Sequence, residues 1–101
     1  VNFSQIPIID ETWGLVKNKV VPGGTLSNLD FVGDKVDWDD NIKEEEKLIL
    51  ADAQTSGGLL ISCPEPKKEK LLRLLKSKGV EVSRVVGQII EDKRCRIKVT
   101  S

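Results

Sequence analysis

The chain has 101 residues, of which 39% are hydrophobic and 32% charged, a size and composition that fit one small globular domain and exclude a site shared between two complete domains of this chain. Its sixteen basic residues balance sixteen acidic ones, so no global field holds a polyanion such as DNA or an anionic membrane surface. Long apolar runs are absent, as is a basic start followed by an apolar stretch; the expected setting is the cytoplasm.

Val1 to Ile9 alternates weakly and contains Pro7, which cannot donate to a ladder, so an edge strand or extended lead-in is expected. Asp10 offers an N-cap oxygen to a helix in which Trp13, Val16 and Val20 recur at helical spacing. The run Val21-Pro22-Gly23-Gly24-Thr25 is expected to break regular structure. A short helix over Leu26 to Val32 follows, ended by Gly33. Lys35 to Asn41 reads as an acidic loop in which Val36 and Trp38 point the same way if locally extended. Asp37, Asp39 and Asp40 supply paired carboxylates there, best read as solvated. Ile42 to Ala51 is helical in pattern, with Glu44, Glu45 and Glu46 at the positive end of the macrodipole and Leu48, Ile49 and Leu50 on the buried side.

After a turn at Gln54 to Gly58, Leu59-Leu60-Ile61-Ser62-Cys63 reads as a short buried strand. Pro64 and Pro66 open a helix whose leucines 71, 72, 74 and 75 form one stripe and whose stop is Gly79. Val80 to Ile90 is apolar and β-branched, and Arg94 to Val99 places Cys95, Ile97 and Val99 on one face and Arg94, Arg96 and Lys98 on the other. Glu91-Asp92-Lys93 is a hairpin-turn candidate between these two runs. The basic face serves as a charged edge that resists aggregation, with anion binding as the alternative. The expected fold is α+β, helices layered on a mixed or antiparallel sheet. Cys63 and Cys95 are the only cysteines and histidine is absent, which excludes a thiolate and imidazole metal cage and a Cys-His nucleophile.

Two glycine-containing loops carry the candidate chemistry: Gly23, Gly24, Thr25 and Asn28 in the first, and Gln54, Thr55, Ser56, Gly57 and Gly58 in the second. Exposed N–H groups and short polar side chains there would cradle a phosphate or meet another surface. Neither loop has the glycine and lysine pattern of a P-loop or the dinucleotide fingerprint. Physics alone also allows two tight connections whose glycines satisfy dihedral demands. Gly57 and Gly58 in particular are expected to need conformations or contacts that a side chain would obstruct.

Ala51-Asp52-Ala53-Gln54-Thr55-Ser56-Gly57-Gly58-Leu59-Leu60-Ile61 resembles the Asp-Pro-Gln-Thr-Ser-Gly-Gly-Leu-Leu signature of selenophosphate synthetases. Val21-Pro22-Gly23-Gly24-Thr25 with Asn28 is similar to that family's Pro-Gly-Gly-Thr segment and downstream asparagine. Ile6-Pro7, Glu46-Lys47-Leu48 and Val86-Gly87-Gln88 match in order. Ala53 departs from the pattern, which usually has proline there.

The resemblance implies a single, partial C-terminal domain over residues 1–101, with the fold of the aminoimidazole ribonucleotide synthetase-like superfamily. It implies a parent enzyme, a homodimer, that makes selenophosphate from selenide and ATP with Mg²⁺, releasing AMP and phosphate. Its reactive Cys or selenocysteine, nearby lysine and metal-binding aspartates lie in an N-terminal ATP-binding half, whose motifs do not occur in this chain, so no catalytic or metal role is carried over to Cys63 or to any aspartate. The chain starts at Val1 and holds no methionine, as expected of a piece of a longer protein. It is expected to be inactive alone and to hold neither ATP nor Mg²⁺; its partner is the ATP-binding half, with no role for nucleic acid or membrane. A stand-alone, non-catalytic binding module of the same fold is the alternative. A sibling enzyme of the superfamily is disfavoured by the Gln-Thr-Ser-Gly-Gly run.

Overall fold

The computed structural model describes the whole chain, Val1–Ser101. Two short strands organise it, β1 (Val36–Trp38) and β2 (Ile97–Val99), paired in parallel with Val36 opposite Ile97 and Trp38 opposite Val99. Val36 and Val99 are buried with Phe3 and Ile42, and Ile6, Trp13, Trp38, Ile49 and Leu50 pack around them. Phe3 meets Trp13 edge to face, with ring centroids 6.0 Å apart.

The sheet is parallel, not mixed or antiparallel as the sequence led us to expect, and the lead-in segment occupies its other edge. Residues 1–3 run along the free edge of β2: the Thr100 amide donates to the Val1 carbonyl and the Phe3 amide to that of Thr100, each at 2.8 Å. Asn2 makes a parallel bridge to Thr100 while its own amide donates to Val86 at 2.8 Å. The edge that a hairpin from Val80–Ile90 would use is therefore already taken. Only one bridge of the expected first strand forms before the chain turns into a 3₁₀ turn at Phe3–Gln5, capped by the Asn2 side chain on the Ser4 amide at 2.9 Å.

Four helices follow from the sequence with shifted ends. α1 (Asp10–Lys17) begins with Asp10 inside its first turn, not at the cap, and stops before Val20. α2 (Gly23–Val32) ends at Gly33, whose φ of 41° is costly for any other residue. It starts three residues earlier than the glycines suggested, because first-turn positions need no intrahelical N–H partner and the extended Pro22 leads the chain into it. α3 (Glu44–Leu50) carries the three glutamates in its first turn, and Glu46 reaches back to accept from the Lys43 amide at 2.7 Å. α1 and α2 both pack on α3. α4 (Lys68–Ser77) follows a 3₁₀ turn at Glu65–Lys67 and stops at Gly79, with φ 83°. Glu65, hydrogen-bonded to the Lys68 ammonium at 2.6 Å, holds the Lys68 pKa above its usual value.

The expected strands Leu59–Cys63 and Val80–Ile90 do not form. Apolar, β-branched sequence favours extended backbone, but a strand exists only where a neighbour accepts its hydrogen bonds. Residues 53–63 make no backbone–backbone hydrogen bond, and within 81–91 the single one is Asn2 to Val86. Leu59 and Leu60 are 89% and 83% exposed. No residue between Lys43 and Lys98 is fully buried; in the leucine stripe of α4, Leu71, Leu72 and Leu75 are partly buried and Leu74 is 52% exposed. The accessible surface is 8271 Å², whereas a compact monomer of 11.2 kDa exposes roughly 5,700 Å².

The end of the chain also differs. Asp92 closes a turn by accepting from the Arg94 amide at 2.8 Å, a bond that lowers the Asp92 pKa, and Cys95 sits at φ 52°. The turn joins no hairpin, and Cys95 is exposed instead of continuing the strand face. Arg96 pairs with Asp37 at 2.6 Å, and Arg94 lies 3.4 Å from the same carboxylate. The basic face is thereby tied to β1 and partly neutralised, and Asp37 is a structural counter-ion. Asp39 accepts from the Asn41 backbone and side chain at 3.0 and 2.9 Å, fixing the turn after β1.

Candidate functional site

The two glycine-containing loops, far apart in sequence, meet where the first turn of α2 packs on the chain leaving α3. Gly24 permits the contact: a Cβ there would lie 3.0 Å from the Cβ of Ala53. Thr25 follows it into the interface and is completely buried. Its hydroxyl donates to Asp52 Oδ1 at 3.2 Å and accepts from the Ala53 amide at 3.3 Å, so both of its hydrogen-bonding roles are used. One turn later Asn28 donates to the Ala51 carbonyl at 2.8 Å, satisfying an acceptor left open at the C-terminal end of α3.

Beyond this junction the chain turns outward. Gln54 Nε2 donates to the second oxygen of Asp52 at 3.2 Å. Gln54, Thr55 and Ser56 are all exposed, and the Thr55 and Ser56 hydroxyls make no hydrogen bond within the chain. Asn28, Ala51 and Asp52 also border an open apolar concavity of about 330 Å³ lined by Phe31, Val36 and Trp38 among others.

The structure thus separates the candidate residues. Gly24, Thr25 and Asn28 form an internal latch and Thr25 has no surface to offer a ligand. A Cβ on Gly23 would meet nothing within 4 Å, so this residue stands free at the start of α2. Thr55 and Ser56 face solvent. The expectation that Gly57 and Gly58 need conformations or contacts that a side chain would obstruct is corrected for Gly58, which opens onto empty space, and for the backbone of both, since neither has a positive φ; the close contact is present at Gly57. At Gly57 a Cβ would meet Gln54 Oε1 at 2.5 Å, so a side chain there would displace the carboxamide from its position beside Asp52. Asp52, quoted in the sequence motif without a role, is the residue that joins the loops; its place beside Gln54-Thr55-Ser56 was the available signal. Ala53 supplies an amide that proline lacks, and Thr25 accepts its hydrogen, so the departure at this position adds a tie between the loops.

Gly24→Ala is expected to be less stable than Gly23→Ala by about 1 kcal/mol, because both gain helix propensity but only the methyl at 24 would press on the Cβ of Ala53, 3.0 Å away. Gly23→Ala should be neutral or stabilising by up to about 1 kcal/mol through helix propensity. Urea midpoints of the two variants check this, and equal shifts would contradict the close approach.

Residues 24–100 match the family described as AIR synthase related protein, C-terminal domain. Proteins named selenide, water dikinase are similar over most of the chain. That of Carboxydothermus hydrogenoformans is 42% identical over 80 residues, 79% of this chain and 23% of its own length. That of Myxococcus xanthus is 40% identical over 89 residues, covering 88% and 25%. In Pelobacter propionicus the identity is 40% over 96 residues, covering 95% and 28%. The chain spans about a quarter of the length of these curated relatives. The Gly24–Asn28 latch and the whole Gln54–Gly58 loop fall inside the matched residues, and the chain belongs to the AIR synthase related protein C-terminal domain family, as the C-terminal portion of a selenophosphate synthetase.

Proposed function

We propose that this chain is the C-terminal domain of a cytoplasmic, homodimeric enzyme that makes selenophosphate from selenide and ATP, releasing AMP and phosphate, and that it performs no chemistry by itself. The observation that carries the reading is the outward-facing Thr55 and Ser56 pair, unpartnered within the chain and mounted on a junction whose own polar groups are satisfied. Such a loop presents hydrogen-bonding groups to something outside the domain.

The junction does not fit a Mg²⁺ ion. Its one carboxylate, Asp52, spends one oxygen on Thr25 and the other on Gln54, whereas Mg²⁺ needs a near-octahedral set of oxygen ligands. We assign ATP and Mg²⁺ to the ATP-binding half, which is also the proposed partner; the misfit at Asp52 supports the metal part of this assignment. The apolar surface of residues 57–63 and 80–90 supports an obligate partner, since the excess over a compact monomer is on the scale of one side of a large interface.

Phosphorus NMR of ATP, Mg²⁺ and selenide should show no selenophosphate with the chain alone, at the level of a no-protein control. Adding the separately produced remainder of the full-length enzyme should restore product. Synthesis by the chain alone would overturn the proposal.

A further inference from the structure

We infer that Thr25, acting through Asp52, is a positioning residue that sets the orientation of the Gln54 carboxamide at the root of the Thr55-Ser56 loop. This rests on the reading that the loop serves the enzyme's reaction. Thr25 cannot itself touch a ligand, because it is fully buried. Its hydroxyl proton goes to Asp52 Oδ1, and its lone pair takes the Ala53 amide. The carboxylate is thereby held in one rotamer with Oδ2 turned toward Gln54.

A carboxylate only accepts, so the Gln54 group that meets it is Nε2, at 3.2 Å. That assignment turns Oε1 to the other side, where it lies over Gly57; a Cβ at Gly57 would come within 2.5 Å of it. The absence of a side chain at Gly57 thus makes room for the carboxamide that Asp52 holds. Asn28, through the Ala51 carbonyl, secures the backbone on which Asp52 sits. The path runs from the first turn of α2 through one hydroxyl and one carboxylate to the loop, and each contact has a defined donor and acceptor.

The test uses nitrogen-15 NMR of this chain, reading Ala53 amide exchange and the Gln54 side-chain heteronuclear NOE in Thr25→Val, Thr25→Ser and Asp52→Ala. Thr25→Val keeps the shape and deletes the hydroxyl. It should speed Ala53 exchange at least tenfold and lower the Gln54 side-chain NOE to that of a free surface glutamine, while Thr25→Ser should retain the values of the parent. Asp52→Ala should release Gln54 as Thr25→Val does. A folded Thr25→Val chain with an unchanged Gln54 NOE would overturn the assignment. If Thr25→Val does not fold, Asp52→Ala decides alone, and an ordered Gln54 there is equally fatal. In the full-length enzyme Thr25→Val should lower kcat at least fivefold with KM for ATP within twofold, and Thr25→Ser should recover the loss. Full activity of Gln54→Ala would remove the functional reading of the loop, whereas the NMR result tests the mechanical link independently of it.

Discussion

Phe3→Ala is expected to leave the chain largely unfolded in the absence of denaturant. Phe3 is 7% exposed and belongs to the cluster of four buried side chains on which the sheet and α1 converge. Truncating a buried phenylalanine costs about 3–5 kcal/mol, and the edge-to-face contact with Trp13 adds about 0.5–1.5 kcal/mol. A chain of this length has a total stability of roughly 5–15 kcal/mol, and one with only six buried residues belongs near the bottom of that range. The backbone bond from Phe3 to Thr100 depends on the same anchor, so losing the ring also loosens the third line of the sheet. Urea titration followed by Trp13 and Trp38 fluorescence measures the effect. Phe3→Leu, which keeps most of the volume, should cost about 1–1.5 kcal/mol. A Phe3→Ala midpoint close to that of the parent would mean that the fold does not depend on this cluster.

Replacing Gln54 and Thr55 together by alanine is expected to lower the activity of the full-length enzyme at least tenfold, a loss of about 1.4 kcal/mol in transition-state stabilisation. In this chain alone the same pair should change stability by only about 0.5 kcal/mol or less, as befits exposed positions. Both residues are exposed, Gln54 makes a single hydrogen bond at 3.2 Å and Thr55 makes none. Parallel assays separate the two roles of the loop. A large stability loss with a proportionate fall in activity identifies a structural element, and unchanged activity rejects the functional role.

Elements whose information is local were legible from the residues. Gly33 and Gly79 mark the ends of α2 and α4 at positive φ and the glutamates open α3, whereas Val36–Trp38, read from the sequence as part of an acidic loop, forms β1 because Ile97–Val99 pairs with it. Leu59–Cys63 and Val80–Ile90 misled for the opposite reason. Their apolar, β-branched residues specify an extended backbone, but whether it becomes a strand depends on an edge elsewhere, and the edge of β2 is occupied by residues 1–3.

The candidate site divides in the same way. The sequence alone determined that two polar, glycine-containing loops exist and to which family they belong, since composition and order are enough to state a motif. Only the tertiary structure decided that Thr25 faces inward, that Asp52 holds the loops together, and that Thr55 and Ser56 remain free. The physical reason is that a hydroxyl has one chemistry in sequence and two fates in space. Buried against α3, it must satisfy its neighbours; on an exposed bend, it is left for a partner.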